Sequence, residues 1–180
     1  TKTTNILTID VEDWYMDTDI STWDSYEGRV VESTNKILKI LNELNIQATF
    51  FVLGYVAEHF PGLVEEIKDK GHEIATHGYA HMQVYAMTPD MFLKDLRKSV
   101  SIISGITGHP VKGYRAPEWS IRDDSLWALD ILIREGFEYD YSMAPLLLIG
   151  NTKHPKSPHR LTLLQWDRWE FYTLVVAPTS

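Results

Sequence analysis

The feature that most constrains this chain is a strict alternation of short apolar runs with amphipathic helical segments, joined by short connections. Ala48-Thr-Phe-Phe-Val-Leu53 is a nearly continuous apolar run ending at Gly54. A strand buried on both faces has that pattern, and such strands belong to parallel sheets covered by helices. Similar runs are expected as strands over Asn5–Asp10, Glu73–Thr76, Val111–Tyr114, Phe137–Ser142, Leu161–Gln165 and Trp169–Val176. Between them, helical spacing predicts Val31–Leu44, with Ile37, Ile40, Leu41 and Leu44 on its inward face. Pro61 opens a helix over Gly62–Lys70 that Gly71 stops. Thr88 caps a third helix with Pro89 in its first turn, and Phe92, Leu96, Val100 and Ile103 form its stripe to about Ser104, ended by Gly105 and Gly108. Ser120–Asp124 lead into a fourth, with Leu126, Leu129 and Ile133 inward and Gly136 as its stop. Pro145–Pro158 reads as loop. Strand, helix, strand, helix in this rhythm gives an α/β barrel or an open α/β sheet.

Ligands of such folds bind at the C-terminal ends of the strands. Four reactive residues fall at or near those ends: Asp10, His77, Arg115 and Asp140. The first strand ends in three acids within four residues, Asp10, Glu12 and Asp13, followed by an aromatic loop to Gly28 that carries Trp14, Tyr15, Trp23 and Tyr26. Carboxylates so placed hold a metal or move protons. His77 and His81 are four residues apart, and on a helical turn that spacing puts both rings on one face. Two imidazoles with one strand-end carboxylate make a catalytic zinc pattern with open positions. Strand alternation separates Asp10 and Glu12 from Asp13 unless the chain turns there, so Glu12 and Asp13 both stand as candidate ligands. A second acid kept off the metal can serve as base, with the Arg115 guanidinium paired to it bidentately. His59, His72, His109, His154 and His159 are expected at the surface rather than as ligands.

Composition narrows the partners. With 180 residues, 44% of them hydrophobic, the chain is expected to form one domain over 1–180 with a sizeable core. The net charge of −8 opposes nucleic acid and anionic membrane surfaces. No apolar run approaches the ~20 residues of a membrane span, and none reads as a signal peptide. The absence of cysteine excludes disulfides and thiolate metal sites, and is compatible with either a cytoplasmic or a periplasmic setting.

Thr8-Ile9-Asp10-Val11-Glu12-Asp13-Trp14, His77-Gly78-Tyr79-Ala80-His81 and Tyr114-Arg115-Ala116-Pro117, in this order, resemble the polysaccharide deacetylase (NodB-homology, carbohydrate esterase 4) family. Thr88-Pro89 to Asp95, Gly113 to Ile121, Leu126 to Asp130 and Phe137 to Asp140 are similar to its branch from bacterial exopolysaccharide gene clusters. The resemblance implies a distorted (β/α)7 barrel and metal-dependent, most plainly zinc-dependent, removal of acetyl from N-acetylated sugars in a glycan. It implies Asp10 as general base, Arg115 as the residue that orients it, and His77 and His81 as metal ligands. Trp14, Tyr114, Pro117 and Glu118 are implied at the substrate, with the Glu118 N–H in the oxyanion hole. Two departures stand out: Val11 separates the acids that are adjacent in the commonest family motif, and no histidine follows His159 to act as the family's general acid. The expectation is therefore a domain whose C-terminal part continues beyond Ser180. Relatives that hydrolyse small cyclic amides or imides supply an alternative activity, and a carbohydrate-binding pseudoenzyme a second.

Overall fold

The computed structural model describes residues 6–144, 159–161 and 171–175. Five consecutive parallel strands, β1 (Thr8–Val11), β2 (Thr49–Val52), β3 (Glu73–Thr76), β4 (Gly113–Tyr114) and β5 (Tyr139–Met143), lie side by side in chain order. β7 (Phe171–Val175) adds in parallel to β5, and β6 (His159–Leu161) pairs antiparallel on the outside of β7. The crossovers carry α1 (Val30–Leu44), α2 (Gly54–His59), α3 (Pro61–Asp69), α4 (Pro89–Thr107) and α5 (Trp127–Arg134). The expected loop Pro145–Pro158 and the reach of the sixth expected strand past Leu161 fall outside the described residues.

The sheet curls strongly. β1 and β4 are three strand spacings apart, about 14 Å in a flat sheet, which is more than an arginine side chain spans. Yet Arg115, just after β4, bonds Asp10 of β1, and Phe51 of β2 meets Tyr139 and Tyr141 of β5 across the concave side. Only a sheet bent into a barrel wall brings those residues together. Side chains alternate accordingly. Phe50, Val52, Ile74 and Tyr114 face the helices, whereas Asp10, Phe51, Arg115 and Tyr141 face the concave side. Gly113 is part of that packing: a Cβ there would lie 2.1 Å from the Tyr139 ring.

The structure corrects several expectations. α1 buries Val30, Thr34, Leu38 and Leu41, while Ile40 and Leu44 stand 53% and 61% exposed. The inward stripe is therefore rotated: Leu41 is buried as expected and Ile37 packs partly buried against the core, while Ile40 and Leu44 turn outward. α4 runs through Gly105 to Thr107, and of the two expected stops it is Gly108, at a left-handed φ of 72°, that closes it. α5 begins at Trp127, so Leu126 stays outside the helix and exposed. α2 was not expected, because Gly54 reads as a stop. It is instead where α2 crosses α4, since a Cβ at Gly54 would sit 2.8 Å from Ser99. His72 is buried rather than superficial. Its Nδ1 accepts from the Ala48 N–H, and burial, with the charge of Lys70, lowers its pKa.

Candidate metal centre at the C-terminal rim

Glu12, His77 and His81 converge at the C-terminal ends of β1 and β3. Glu12 Oε2 lies 3.2 Å from His77 Nε2 and 2.9 Å from His81 Nε2. Of the other ring nitrogens, His77 Nδ1 is hydrogen-bonded to the Arg115 carbonyl oxygen at 2.8 Å, whereas His81 Nδ1 lies 3.0 Å from Asp17 Oδ1 without a hydrogen bond. The carbonyl acceptor fixes the His77 proton at Nδ1 and leaves a lone pair on its Nε2. Glu12 Oε2 and the two Nε2 atoms thus meet at close range, with both rings buried. Glu12 Oε2 is nonetheless buried without a hydrogen-bond partner, an arrangement that a shared cation would satisfy. Glu12 and the two histidines offer ligand atoms that all lie within 4.8 Å of one another, and an oxygen with two imidazole nitrogens suits zinc. The residues fit a divalent cation. The electrostatics agree. Burial disfavours the charge on Glu12, but hydrogen bonding and charge from His77 and His81 outweigh it and hold the carboxyl well below its usual range. Burial likewise pushes the His81 pKa down, yet Glu12, backed by Asp17 and Glu118, raises it overall.

No helix carries the two histidines. The 77–81 stretch is a loop with Gly78 at φ 76° and His81 at φ 52°, so left-handed backbone rather than helical spacing brings the rings together. Asp95 of α4 holds this loop by accepting the N–H groups of Tyr79 (2.7 Å) and Ala80 (3.2 Å). Gly78 is required where the Asp95 carboxylate comes within 3.0 Å of a would-be Cβ. On the other side the first N–H groups of α2 donate to the loop, Gly54 to the Gly78 carbonyl (2.8 Å) and Tyr55 to that of Tyr79 (3.1 Å). The unexpected α2 thus satisfies its own free amine end with the histidine loop. Neither contact has a local sequence signal, although Asp95 lies in a stretch the family resemblance covers.

Asp13 has a different position. Its Oδ2 accepts the N–H groups of Arg29 (2.5 Å) and Val30 (2.9 Å), and its Oδ1 that of Trp14 (3.0 Å). It caps α1 from 16 residues upstream and is absent from the cation cluster. The two candidate carboxylates therefore separate: the chain turns after Glu12 and Asp13 faces the helix.

Beside the cluster, Arg115 Nη1 donates to Asp10 Oδ1 at 2.5 Å and Nη2 to Thr8 Oγ1 at 2.7 Å. The expected bidentate grip on one carboxylate is instead a fork shared between two residues. The guanidinium lies against both Phe51 and Tyr141, 4.1 and 4.3 Å from the ring centres. Its backbone is also held. Arg115 N–H bonds the Thr76 carbonyl, and the next N–H, of Ala116, donates to Ser142 Oγ at 2.7 Å. The Ser142 hydroxyl in turn donates a hydrogen bond to Asp140, which is wholly buried behind the sheet rather than on the rim. Burial raises the Asp140 pKa to about 7, against the hydrogen bonds from Ser142 and the charge of Arg115.

Pro117 is buried, and Glu118 and Trp119 follow at φ 51° and 49°, a turn that brings both into the cleft wall. Asp10, Glu12, Asp17, His77, His81, Arg115, Ala116, Glu118 and Trp119 line a cleft of about 140 Å³. Tyr114 does not reach it: 2% exposed, it packs edge-on to Phe92 and Phe137 on the helix side. Strand alternation accounts for this, because Tyr114 and Arg115 must face opposite ways. Trp14 stands 60% exposed on an aromatic group with Tyr15 and Tyr26. Larger hollows of about 310 and 400 Å³ lie around His72 and Glu73 at the opposite strand ends, where the described residues form no converging ligand set.

Residues 17–132 match the family model for polysaccharide deacetylase. The chain belongs to the polysaccharide deacetylase family. A peptidoglycan deacetylase of Helicobacter pylori is 35% identical over 108 residues, 60% of this chain and 36% of the relative. A peptidoglycan-N-acetylglucosamine deacetylase of Bacillus cereus is 35% identical over 105 residues, 58% of this chain and 38% of the relative. The chain thus spans little more than a third of the length of these relatives. The crystal structure of a Mycobacterium smegmatis protein assigned as a polysaccharide deacetylase superposes with a TM-score of 0.79 at 27% identity, covering 96% of this chain and 58% of that one. The fold is therefore the NodB-like α/β barrel wall that the resemblance implied.

Proposed function

We propose that the chain carries the metal-dependent deacetylation site of an enzyme acting on N-acetylated sugars of a glycan. The observation that carries this reading is the convergence of Glu12 Oε2 with the Nε2 atoms of His77 and His81 beside an arginine-held carboxylate. Glu12, His77 and His81 would hold a divalent cation, taken as zinc, with Asp13 confined to capping α1. When bound, that ion supplies Lewis-acid assistance to the acetyl carbonyl and to water. Asp10 is the general base: Arg115 occupies its Oδ1 and fixes the carboxylate, leaving Oδ2 to accept the proton of the attacking water. The Glu118 N–H donates to the developing oxyanion, positioned by the left-handed turn after Pro117. Trp14 packs its exposed ring against a sugar face. The cleft, at about 140 Å³, is well below the ~300 Å³ or more of sites that enclose whole small molecules, which suits entry of an acyl group from a larger glycan.

Acetate release from N-acetylglucosamine oligomers and from bacterial exopolysaccharides tests this. Zinc-loaded protein should release acetate, and Asp10→Asn should retain zinc and lose ~10²-fold or more in rate. A second reading is binding without turnover, since a relative from Bacillus anthracis, 25% identical with a TM-score of 0.56, is described as a pseudoenzyme of carbohydrate esterase family 4. Oligomer binding with no acetate from any glycan at full zinc occupancy would favour that reading.

A further inference from the structure

The Arg115–Ala116 peptide is held at both ends by buried side chains. Its carbonyl, that of Arg115, accepts from His77 Nδ1 at 2.8 Å, and its N–H, that of Ala116, donates to Ser142 Oγ at 2.7 Å. The Ser142 hydroxyl donates to Asp140 Oδ1, and the Ser142 N–H bonds Asp140 Oδ2 at 3.0 Å. A hydroxyl has one proton and two lone pairs, so giving the proton to Asp140 leaves Oγ an acceptor toward Ala116. The sheet places these groups. β4 pairs Gly113 with Tyr139 and Tyr114 with Asp140, and continuing that register sets Ala116 opposite Ser142. β4 has already ended there, and a side-chain oxygen takes the N–H that a longer ladder would have used. His77, Ala116, Ser142 and Asp140 are all buried, so water does not compete for these bonds.

We infer that Ser142 is a positioning residue for His77, acting through the one peptide between them with Asp140 behind it. This rests on the metal reading above and extends it to β5, a strand that carries none of the three ligands. A peptide is planar, so the Arg115 carbonyl cannot turn away from His77 without the Ala116 N–H turning away from Ser142. Linked hydrogen bonds also polarise one another, so an N–H engaged by Ser142 makes the Arg115 carbonyl a better acceptor for the His77 proton. That proton fixes the ring and leaves Nε2 free for the cation. Losing an outer partner of a metal-bound histidine costs roughly 10–100-fold in metal affinity. Ser142 acts at one remove, and the carbonyl itself stays when the hydroxyl is lost, so the lower end, about 10-fold, is the expectation.

The test is zinc affinity by chelator competition for the parent, Ser142→Ala and Ser142→Thr, with the His77 ring and Ala116 amide resonances followed by ¹⁵N–¹H NMR. A zinc-bound imidazole is a stronger donor, so loading the parent should move the Ala116 amide proton downfield through the shared peptide. Ser142→Ala should bind zinc about 10-fold more weakly, with the His77 Nδ1 proton shifted upfield. Ser142→Thr, which keeps the hydroxyl, should recover most of both changes. Ser142→Ala within two-fold of the parent, Ala and Thr weakened alike, or a His77 proton that does not shift while affinity falls would overturn the inference and leave the metal site standing. Should Ser142→Ala not fold, the parent decides: an Ala116 amide unmoved by zinc overturns the inference. A parent that binds no zinc would bring down the metal reading itself.

Discussion

Arg115 and Asp10 are joined across three strand spacings, with Nη1 2.5 Å from Oδ1, while the second arm of the guanidinium ends 2.7 Å from Thr8 Oγ1. A planar fork serves both acceptors at once, and the guanidinium rests against the rings of Phe51 and Tyr141. A lysine ammonium is a single point that can meet only one. Arg115→Lys should therefore lower kcat for deacetylation by about 10²-fold, the scale of losing a positioned base. Zinc should be retained, because His77 is oriented by the Arg115 backbone carbonyl, which the substitution keeps. Acetate-release kinetics with zinc analysis of the same sample checks both halves. Full activity would remove Arg115 from the role.

Glu12 and Asp13 are neighbours with separable jobs. Glu12→Ala removes a cation ligand from an otherwise formed cleft, so zinc should be lost with little change in stability of the metal-free protein. Asp13→Ala removes the acceptor for two N–H groups at the start of α1 and should cost roughly 1–2 kcal/mol of stability. Its zinc affinity should fall less than that of Glu12→Ala. Urea unfolding of the metal-free proteins, with elemental analysis of loaded ones, tests this. Equal zinc loss in both would return Asp13 to the ligand set.

The fold and the three site segments were legible because each rests on strong local signals. Unbroken apolar runs mark parallel strands, as at Phe50–Leu53, and the acids, histidines and arginine sit at strand ends where this architecture binds ligands. What stayed hidden was set by contacts between distant residues. Whether Glu12 or Asp13 is nearer the histidines depends on α1 starting at Val30 beside Asp13. The stripe of α1 could not be fully told from spacing, because Ile40 and Leu44 extend the apolar face of Ile37 and Leu41 to positions that stay exposed. Gly54 punctuates a sequence but here marks a close helix crossing. Asp140 looked like a rim residue, and strand alternation, applied one residue further, sends it behind the sheet.

Gly113→Ala tests the concave packing directly. The new methyl would lie 2.1 Å from Tyr139 Cζ and 2.2 Å from its hydroxyl oxygen, so the ring or the strand must move. Overpacking of this kind costs about 1–3 kcal/mol. Tyr139→Leu should relieve most of that penalty in the double variant, giving a coupling energy of the same order as the single loss. Additive penalties measured by denaturant unfolding would mean that the two residues do not oppose each other as described.

Asp140 should make stability fall as pH rises. Its carboxyl is fully buried beneath the Arg115–Ala116 turn, and burial raises its pKa from the usual 3.8 to about 7 although Ser142 donates to it. For an acid whose pKa rises on folding, the folded state holds a proton that the unfolded chain releases. The contribution is complete below the unfolded value and is lost as pH climbs through the folded one. Across that window the loss is on the order of 4 kcal/mol. Asp140→Asn cannot ionise, so its stability relative to the parent should rise between pH 4 and pH 8 by a few kcal/mol. The measurement is urea unfolding of parent and variant, both metal-free, at intervals over that range, taking the difference at each pH to cancel the titration of Glu12 and His81. A difference that stays flat from pH 4 to pH 8 would mean that Asp140 keeps an ordinary pKa and that its Ser142 hydrogen bonds, together with Arg115, outweigh its burial.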